Sequence, residues 1–365
     1  MPEEKKRLPP KPPKRLPDLT LGKKFPRLLL NFFPKKWKRN HLVEKSGGAH
    51  EPRELSFVEH FRTARKFILA WPERPEEILL AFPAARALFN ALPEESEYLH
   101  LCEAKNAALV QGLFPGTLVE WKESEIAWHE PKVKSLVKNL RAFAPDTILM
   151  LGYSPYPTVL QAALRATEAP VRIAWESAAG EPFANTRLQA DEATPLAARG
   201  FQCLSLWRYA GYAPREEWMR IQGDSESGLE TAERWARKRA SPENTWLYIH
   251  DASSGRPLDD RLFSALEEKI SARDVPGFTL GAAIWNPDNK DVPREGGWLN
   301  APLFIESDLP GLLGVLEGAR GTLAYHSFGL HFASLLEVRC LALLKPEEAL
   351  YDASSVNKLF EVEWV

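Results

Sequence analysis

The chain has 365 residues, 44% of them hydrophobic and 26% charged, with a formal net charge of -2. That length exceeds one ordinary core and suits two domains of about 100–200 residues each. The composition excludes a disordered chain, and no apolar run approaches the ~20 residues that a membrane-spanning helix needs. The N-terminus is basic but no apolar run of roughly 7–15 residues follows it, so no secretory signal is expected. Three separated cysteines, Cys102, Cys203 and Cys340, suit a reducing cytoplasm and small buried hydrophobes rather than a disulfide framework.

The net charge hides an asymmetry. Residues 1–40 hold 13 Lys and Arg against 3 acidic residues, a balance of +10, and the rest of the chain balances at -12. The opening LPPKPPKRLP reads as extended and cannot pack a core. In Gly22 to Asn40, Leu28, Leu29, Leu30, Phe32, Phe33 and Trp37 lie between basic clusters. Basic residues attract an anionic membrane surface, and Leu and aromatic side chains sink into its headgroup boundary. A solvated arm, an arm docked on the acidic body and a nucleic-acid-binding tail also fit this composition. No folded nucleic-acid-binding module is visible.

Strands are expected at Lys66–Trp71, Tyr98–Cys102, Thr147–Gly152 and Val171–Trp175. Helical patterns fall between and after them, at Pro75–Leu92, Ala104–Leu113, Pro131–Phe143 and Tyr156–Thr167. A more polar stretch follows, with helix-like runs at Leu196–Tyr212 and Gly228–Ala240. Alternation resumes with strands at Thr245–His250, Phe278–Ile284, Leu303–Ile305, Thr322–Tyr325 and Arg339–Leu344, and with helices at Leu258–Ala272, Leu309–Ala319 and Ser327–Leu336. Strands alternating with helices argue for βαβ units and parallel sheets. The expected organisation is a flexible basic tail over 1–55 and two Rossmann-like α/β domains over 56–225 and 226–365.

Ligands of such folds sit at the carboxyl ends of the strands. Three strand-to-helix turns therefore stand out: Trp71–Leu80, His250–Asp259 and Tyr325–Ser334. The last two carry Ser253, Ser254, Gly255, Ser327 and Gly329, small residues whose backbone can approach a phosphate at a helix N-terminus. Most turns of this kind are only turns. His326 and His331 have no Cys or acidic partner at zinc-ligand spacing, and there is no Walker loop, Gly-x-Ser-x-Gly elbow or Gly-x-Gly-x-x-Gly.

Longer patterns are more specific. After the first turn come Pro83, Ala84, Arg86, Ala87, Leu88 and Pro93. The second turn reads His250-Asp251-Ala252-Ser253-Ser254 and then Arg256. The third reads His326-Ser327-Phe328-Gly329-Leu330-His331-Phe332-Ala333. In this order and spacing, over roughly residues 64–345, the chain resembles the bacterial heptosyltransferases of glycosyltransferase family 9. The run QADEATPLAARGFQCLSLWRYAGY stands where that family has its bridging helix.

The resemblance implies a GT-B fold of two facing Rossmann-like domains and no metal or other cofactor. It implies inverting transfer from a nucleotide-sugar donor, ADP-heptose-like, to a lipid-linked glycan acceptor at the inner face of the cytoplasmic membrane. By position it makes Glu77 the general base and Arg256 the cation on the departing diphosphate. It places Ser253, Ser254, Arg256, His326, Ser327, Gly329 and His331 around the donor. This chain also departs from the family. Glu76 and Glu77 replace a Gly-Asp pair, Arg256 a Lys, His326 an Asp, and Phe328 a Gly in space a diphosphate would use. Two other readings therefore stand beside the first: a catalytically degenerate binding or scaffold protein, and a transferase with a different donor.

Overall fold

The structure is a computed structural model that describes residues 59–60, 63–92, 94–114, 116–122, 131–178, 183–188, 221, 227–273, 276–345 and 360–364. The basic tail, Pro93, Cys203 and the expected bridging helix at 196–212 lie outside the described residues.

Two six-stranded parallel sheets organise the chain. The first contains β1 (Lys66–Ala70), β2 (Glu97–Glu103), β3 (Thr117–Trp121), β4 (Thr147–Met150), β5 (Val171–Trp175) and β6 (Thr186–Leu188), in the order β3-β2-β1-β4-β5-β6. The second contains β7 (Thr245–Asp251), β8 (Thr279–Trp285), β9 (Leu303–Glu306), β10 (Gly321–Ala324), β11 (Cys340–Leu344) and β12 (Phe360–Trp364), in the order β12-β11-β10-β7-β8-β9. Each sheet therefore has the Rossmann order 3-2-1-4-5-6. Its chain direction reverses beside its first strand, between β1 and β4 and between β7 and β10. The α/β, GT-B-like class expected from the sequence is the one observed.

The central strands are nearly continuous apolar runs, as parallel strands covered on both faces must be. β4 and β11 are buried throughout, and β1 is buried beyond Lys66. In register, Ala70 pairs with both Leu101 and Met150, which fixes β1 at the centre.

Among the described residues, the main helices are α1 (Pro75–Ala91), α2 (Ala107–Leu113), α3 (Pro131–Phe143), α4 (Thr158–Arg165), α5 (Ser227–Arg237), α6 (Asp260–Ser271), α7 (Leu309–Gly318) and α8 (Ser327–Leu336). Several begin later than periodicity suggested, for local reasons. A 3₁₀ turn, Ala104–Asn106, precedes α2. Asp259 caps α6 by accepting from the Leu262 N–H at 2.7 Å, so Leu258 is left outside the helix.

The two sheets meet through helices. α1 packs against α8, and α2 against α7. One apolar cluster runs from β1 and α1 through α7 and α8 to β11, so the halves share a core.

Candidate functional site

The turn after β1 is rigid. Trp71 donates through Nε1 to His100 Nδ1 at 3.0 Å, and Asn106 Nδ2 donates to the Glu73 carbonyl at 2.8 Å. Pro75 opens α1, where its missing N–H costs nothing. Glu76 and Glu77 follow in the first helical turn, where the helix dipole favours carboxylates.

Glu77 is fully buried. Its Oε2 accepts from the Tyr153 and Ser154 backbone N–H groups, each at 3.0 Å, and its Oε1 accepts a short hydrogen bond from Ser154 Oγ. This carboxylate ties α1 to the turn after β4. Gly152 is required there, since a Cβ would lie 2.7 Å from Pro72 Cβ. Tyr156 completes the lock. Its hydroxyl donates to the Ala70 carbonyl at 2.7 Å and accepts from Gly152 N–H at 2.8 Å, and burial raises its pKa.

In the second sheet, Asp251 ends β7. Its Oδ1 accepts from Ser253 N–H at 2.9 Å and from Ser253 Oγ at 2.6 Å, while Ser254 Oγ donates to the Asp251 carbonyl at 2.6 Å. Gly255 follows at φ +69°, a left-handed conformation natural to glycine. Both serine hydroxyl hydrogens are thus engaged inside the turn. Burial raises the Asp251 carboxyl pKa, with Glu76 adding to the effect and Ser253 opposing it. His250, 2% exposed, is driven down to about 4, first by burial and then by His326. The Gly329 backbone lies close enough to β7 that a Cβ would meet Ile249 Cβ at 3.2 Å. That close approach seats α8 on the sheet.

These turns face one another across a cavity of about 270 Å³. The first half contributes Arg74, Pro75, Glu76 and Lys105. The second contributes Tyr248–Asp251, Ser253, Ser254, Arg256 and His326–Gly329. A neighbouring cavity of about 540 Å³ shares Tyr248, Arg256 and His326 and adds, among others, Tyr325, Arg261 and Lys345. Of the expected site residues, Ser253, Ser254, Arg256, His326, Ser327 and Gly329 line the first cavity; Glu77 and His331 do not. His331 is buried inside α8, and burial drives its pKa down to about 3. Phe328, 6% exposed, forms part of the wall and packs on Phe332 with ring centroids 5.6 Å apart.

Sequence reasoning passed over Arg74, Lys105, Arg261 and Lys345. Lys105 and Lys345 each sit just past the end of a parallel strand, and that position is a usable signal. Lys105 pairs with Glu103 at 2.6 Å and Glu73 at 3.3 Å. Desolvation opposes its charge, but these carboxylates outweigh it and raise its pKa.

No family model matches the sequence, and no curated protein matches it. Solved structures do. A glycosyl transferase family 9 protein from Veillonella parvula superposes with a TM-score of 0.58 at 12% identity, over 82% of this chain and 86% of that one. The E. coli ADP-heptose LPS heptosyltransferase II gives 0.55 at 14% identity, over 82% and 90%. The E. coli heptosyltransferase WaaC, solved with ADP, gives 0.50 at 14% identity, over 82% and 93%. The fold is that of glycosyltransferase family 9.

Both cavities lie where the strand order of the second sheet reverses, between β7 and β10, and the first sheet reaches the smaller one through residues that follow β1 and β2. The described residues contain no group of three or more His, Cys, Asp or Glu placed to hold a metal ion. Cys102 and Cys340 are buried free thiols pushed up to about 12 by burial, which makes them inert packing residues. No described helix is long and apolar enough to cross a membrane.

Proposed function

We propose that the protein is a glycosyltransferase that takes a nucleotide-sugar donor across the two joined cavities. The observation that carries this reading is Arg256, which lines both. The nucleotide end occupies the larger cavity, among Tyr248, Tyr325, Arg261 and Lys345. The diphosphate lies at Arg256 and His326, beside the Ser327 end of α8, where helix-terminal amides favour an anion. The sugar reaches into the smaller cavity and meets an acceptor entering past Arg74 and Lys105.

Arg256 and the α8 terminus stabilise the charge that builds on the leaving diphosphate. The Ser253 and Ser254 hydroxyls, with their hydrogens engaged, orient the turn more than they grip the phosphate. Attack from the face opposite the leaving group inverts the anomeric carbon. Two of the structural neighbours are heptosyltransferases, one solved with ADP. They support an ADP-heptose-like donor, a lipid-linked glycan acceptor and a place in lipopolysaccharide and cell-envelope synthesis. Residues 1–40 would then hold a cytoplasmic enzyme peripherally on an anionic membrane. Removing them is expected to abolish salt-sensitive binding to phosphatidylglycerol vesicles, and equal binding by the truncated protein would exclude that role.

Calorimetric titration with ADP, UDP and GDP tests the donor site. One of the three binds, and Arg256→Ala weakens it by about 1.5–3 kcal/mol, the range for hydrogen bonds to charged groups. No binding by any of them rejects the reading. The burial of Glu77 favours a second reading, a nucleotide-binding protein without transfer. It is distinguished by nucleotide binding with no release of nucleotide from any sugar donor.

A further inference from the structure

The geometry points to Glu76, not Glu77, as the general base that takes the proton from the acceptor hydroxyl. This inference rests on the transferase reading above and names the group on which that chemistry turns.

A base must reach the acceptor and must have an oxygen free to receive a proton. Glu77 meets neither condition. It is fully buried, does not line the cavity, and both its oxygens accept hydrogen bonds from the turn after β4. Protonating it would break the contacts that hold α1 to that turn.

Glu76 meets both. Its side chain is 15% exposed and lines the interdomain cavity from the acceptor half. Arg74 grips it on one oxygen only. Nε donates to Oε1 at 2.9 Å, and a terminal guanidinium nitrogen lies 2.6 Å from the same oxygen. Oε2 has no hydrogen-bond or ion-pair partner among the described residues. The carboxylate is therefore oriented through one oxygen and available through the other. The other carboxylate lining this cavity, Asp251, is bound to Ser253 in the turn that faces the leaving group. Its charge is placed against a departing diphosphate, not beside an acceptor.

In the step, the acceptor hydroxyl gives its proton to Glu76 Oε2 as its oxygen bonds to the anomeric carbon. The bond from that carbon to the phosphate oxygen breaks, and its electron pair leaves on the nucleoside diphosphate beside Arg256. Glu76 then returns the proton to solvent. Water in place of the acceptor gives hydrolysis by the same route.

The test measures nucleotide release from ADP-, UDP- and GDP-linked sugars with water as acceptor, together with ADP affinity by calorimetry. Glu76→Gln is expected to lower release about 100-fold or more, the usual worth of a positioned base. ADP affinity should stay within about twofold and the melting temperature should not change, with part of the activity kept in Glu76→Asp. Release within a few-fold of wild type in Glu76→Gln overturns the assignment and leaves the transferase reading standing. So does loss of release in Glu77→Gln at unchanged stability. If wild type binds ADP but releases nucleotide from none of the three donor types, the base assignment and the transfer reading both fall, and the binding reading remains.

Discussion

Glu76 and Glu77 are neighbours in sequence, and one step of an α-helix turns a side chain by about 100°. That rotation sends one carboxylate to the cavity and the other into the join between α1 and the turn after β4. The resemblance to family 9 marked position 77 by alignment alone. It carried no information about which way α1 is rolled, because the roll is set by what α1 packs against. Glu77→Gln is therefore expected to act on stability. The amide offers one accepting oxygen in place of two, too few for the two backbone N–H groups and the Ser154 hydroxyl together, and a buried donor left unsatisfied costs about 1–3 kcal/mol. Urea unfolding measures this directly, and an unchanged midpoint would mean that the carboxylate is not the tie described here. Arg256 was legible only through the resemblance, in which it stands where family 9 has a Lys. The companion cations Arg74 and Arg261 were not, since nothing in their local sequence distinguishes them from solvated surface charge.

Element by element, the strands recovered from sequence are the interior ones, β1, β2, β4, β5, β7, β8, β10 and β11, together with one edge strand, β9. β1, β4, β5, β7, β8, β10 and β11 are apolar runs, and their burial follows from coverage on both faces. The strands that sequence did not reveal, β3, β6 and β12, all lie on sheet edges. β3 carries Thr117 and Glu120 exposed, and β6 is three residues long with Arg187 exposed. An edge strand has a neighbour on one side only, so its sequence is free to be polar and short. The packing of α2 on α7 was also invisible from local pattern. It depends on Gly112, where a Cβ would come within 2.8 Å of Leu309 Cβ. Gly112→Ala puts an atom where a backbone-proximal carbon already sits. Overpacking of this kind costs about 1–3 kcal/mol. The variant should lower the urea midpoint by a corresponding amount, whereas the higher helix propensity of Ala would raise it if that contact were loose.

For the whole molecule, buried histidines set a pH dependence. His250 titrates at about 4 and His331 at about 3 in the folded chain, each held down mainly by burial. Both titrate near 6.5 when unfolded. Between about pH 3 and 6.5 the unfolded chain binds more protons at these positions. Their contribution is complete above pH 6.5 and is lost as pH falls toward the folded values. Asp251, with its carboxyl raised, runs the other way, because the folded chain holds that proton longer. The net expectation is a falling urea midpoint from pH 7 to pH 4.5, with the fall reduced in His331→Leu. A midpoint independent of pH over that range would show that the two imidazoles are not buried neutral. The shared core has a mechanical consequence as well. Helix pairs that pack apolar side chains move by shear, in displacements of about 1–2 Å, and not by a wide swing about a free linker. With α1 on α8 and α2 on α7, such shear would leave the mouth between Arg74 and Arg256 close to its present width. On the proposed transferase reading, an acceptor would then offer its hydroxyl at the rim of that mouth, on a slender arm, and not enter between halves that swing apart.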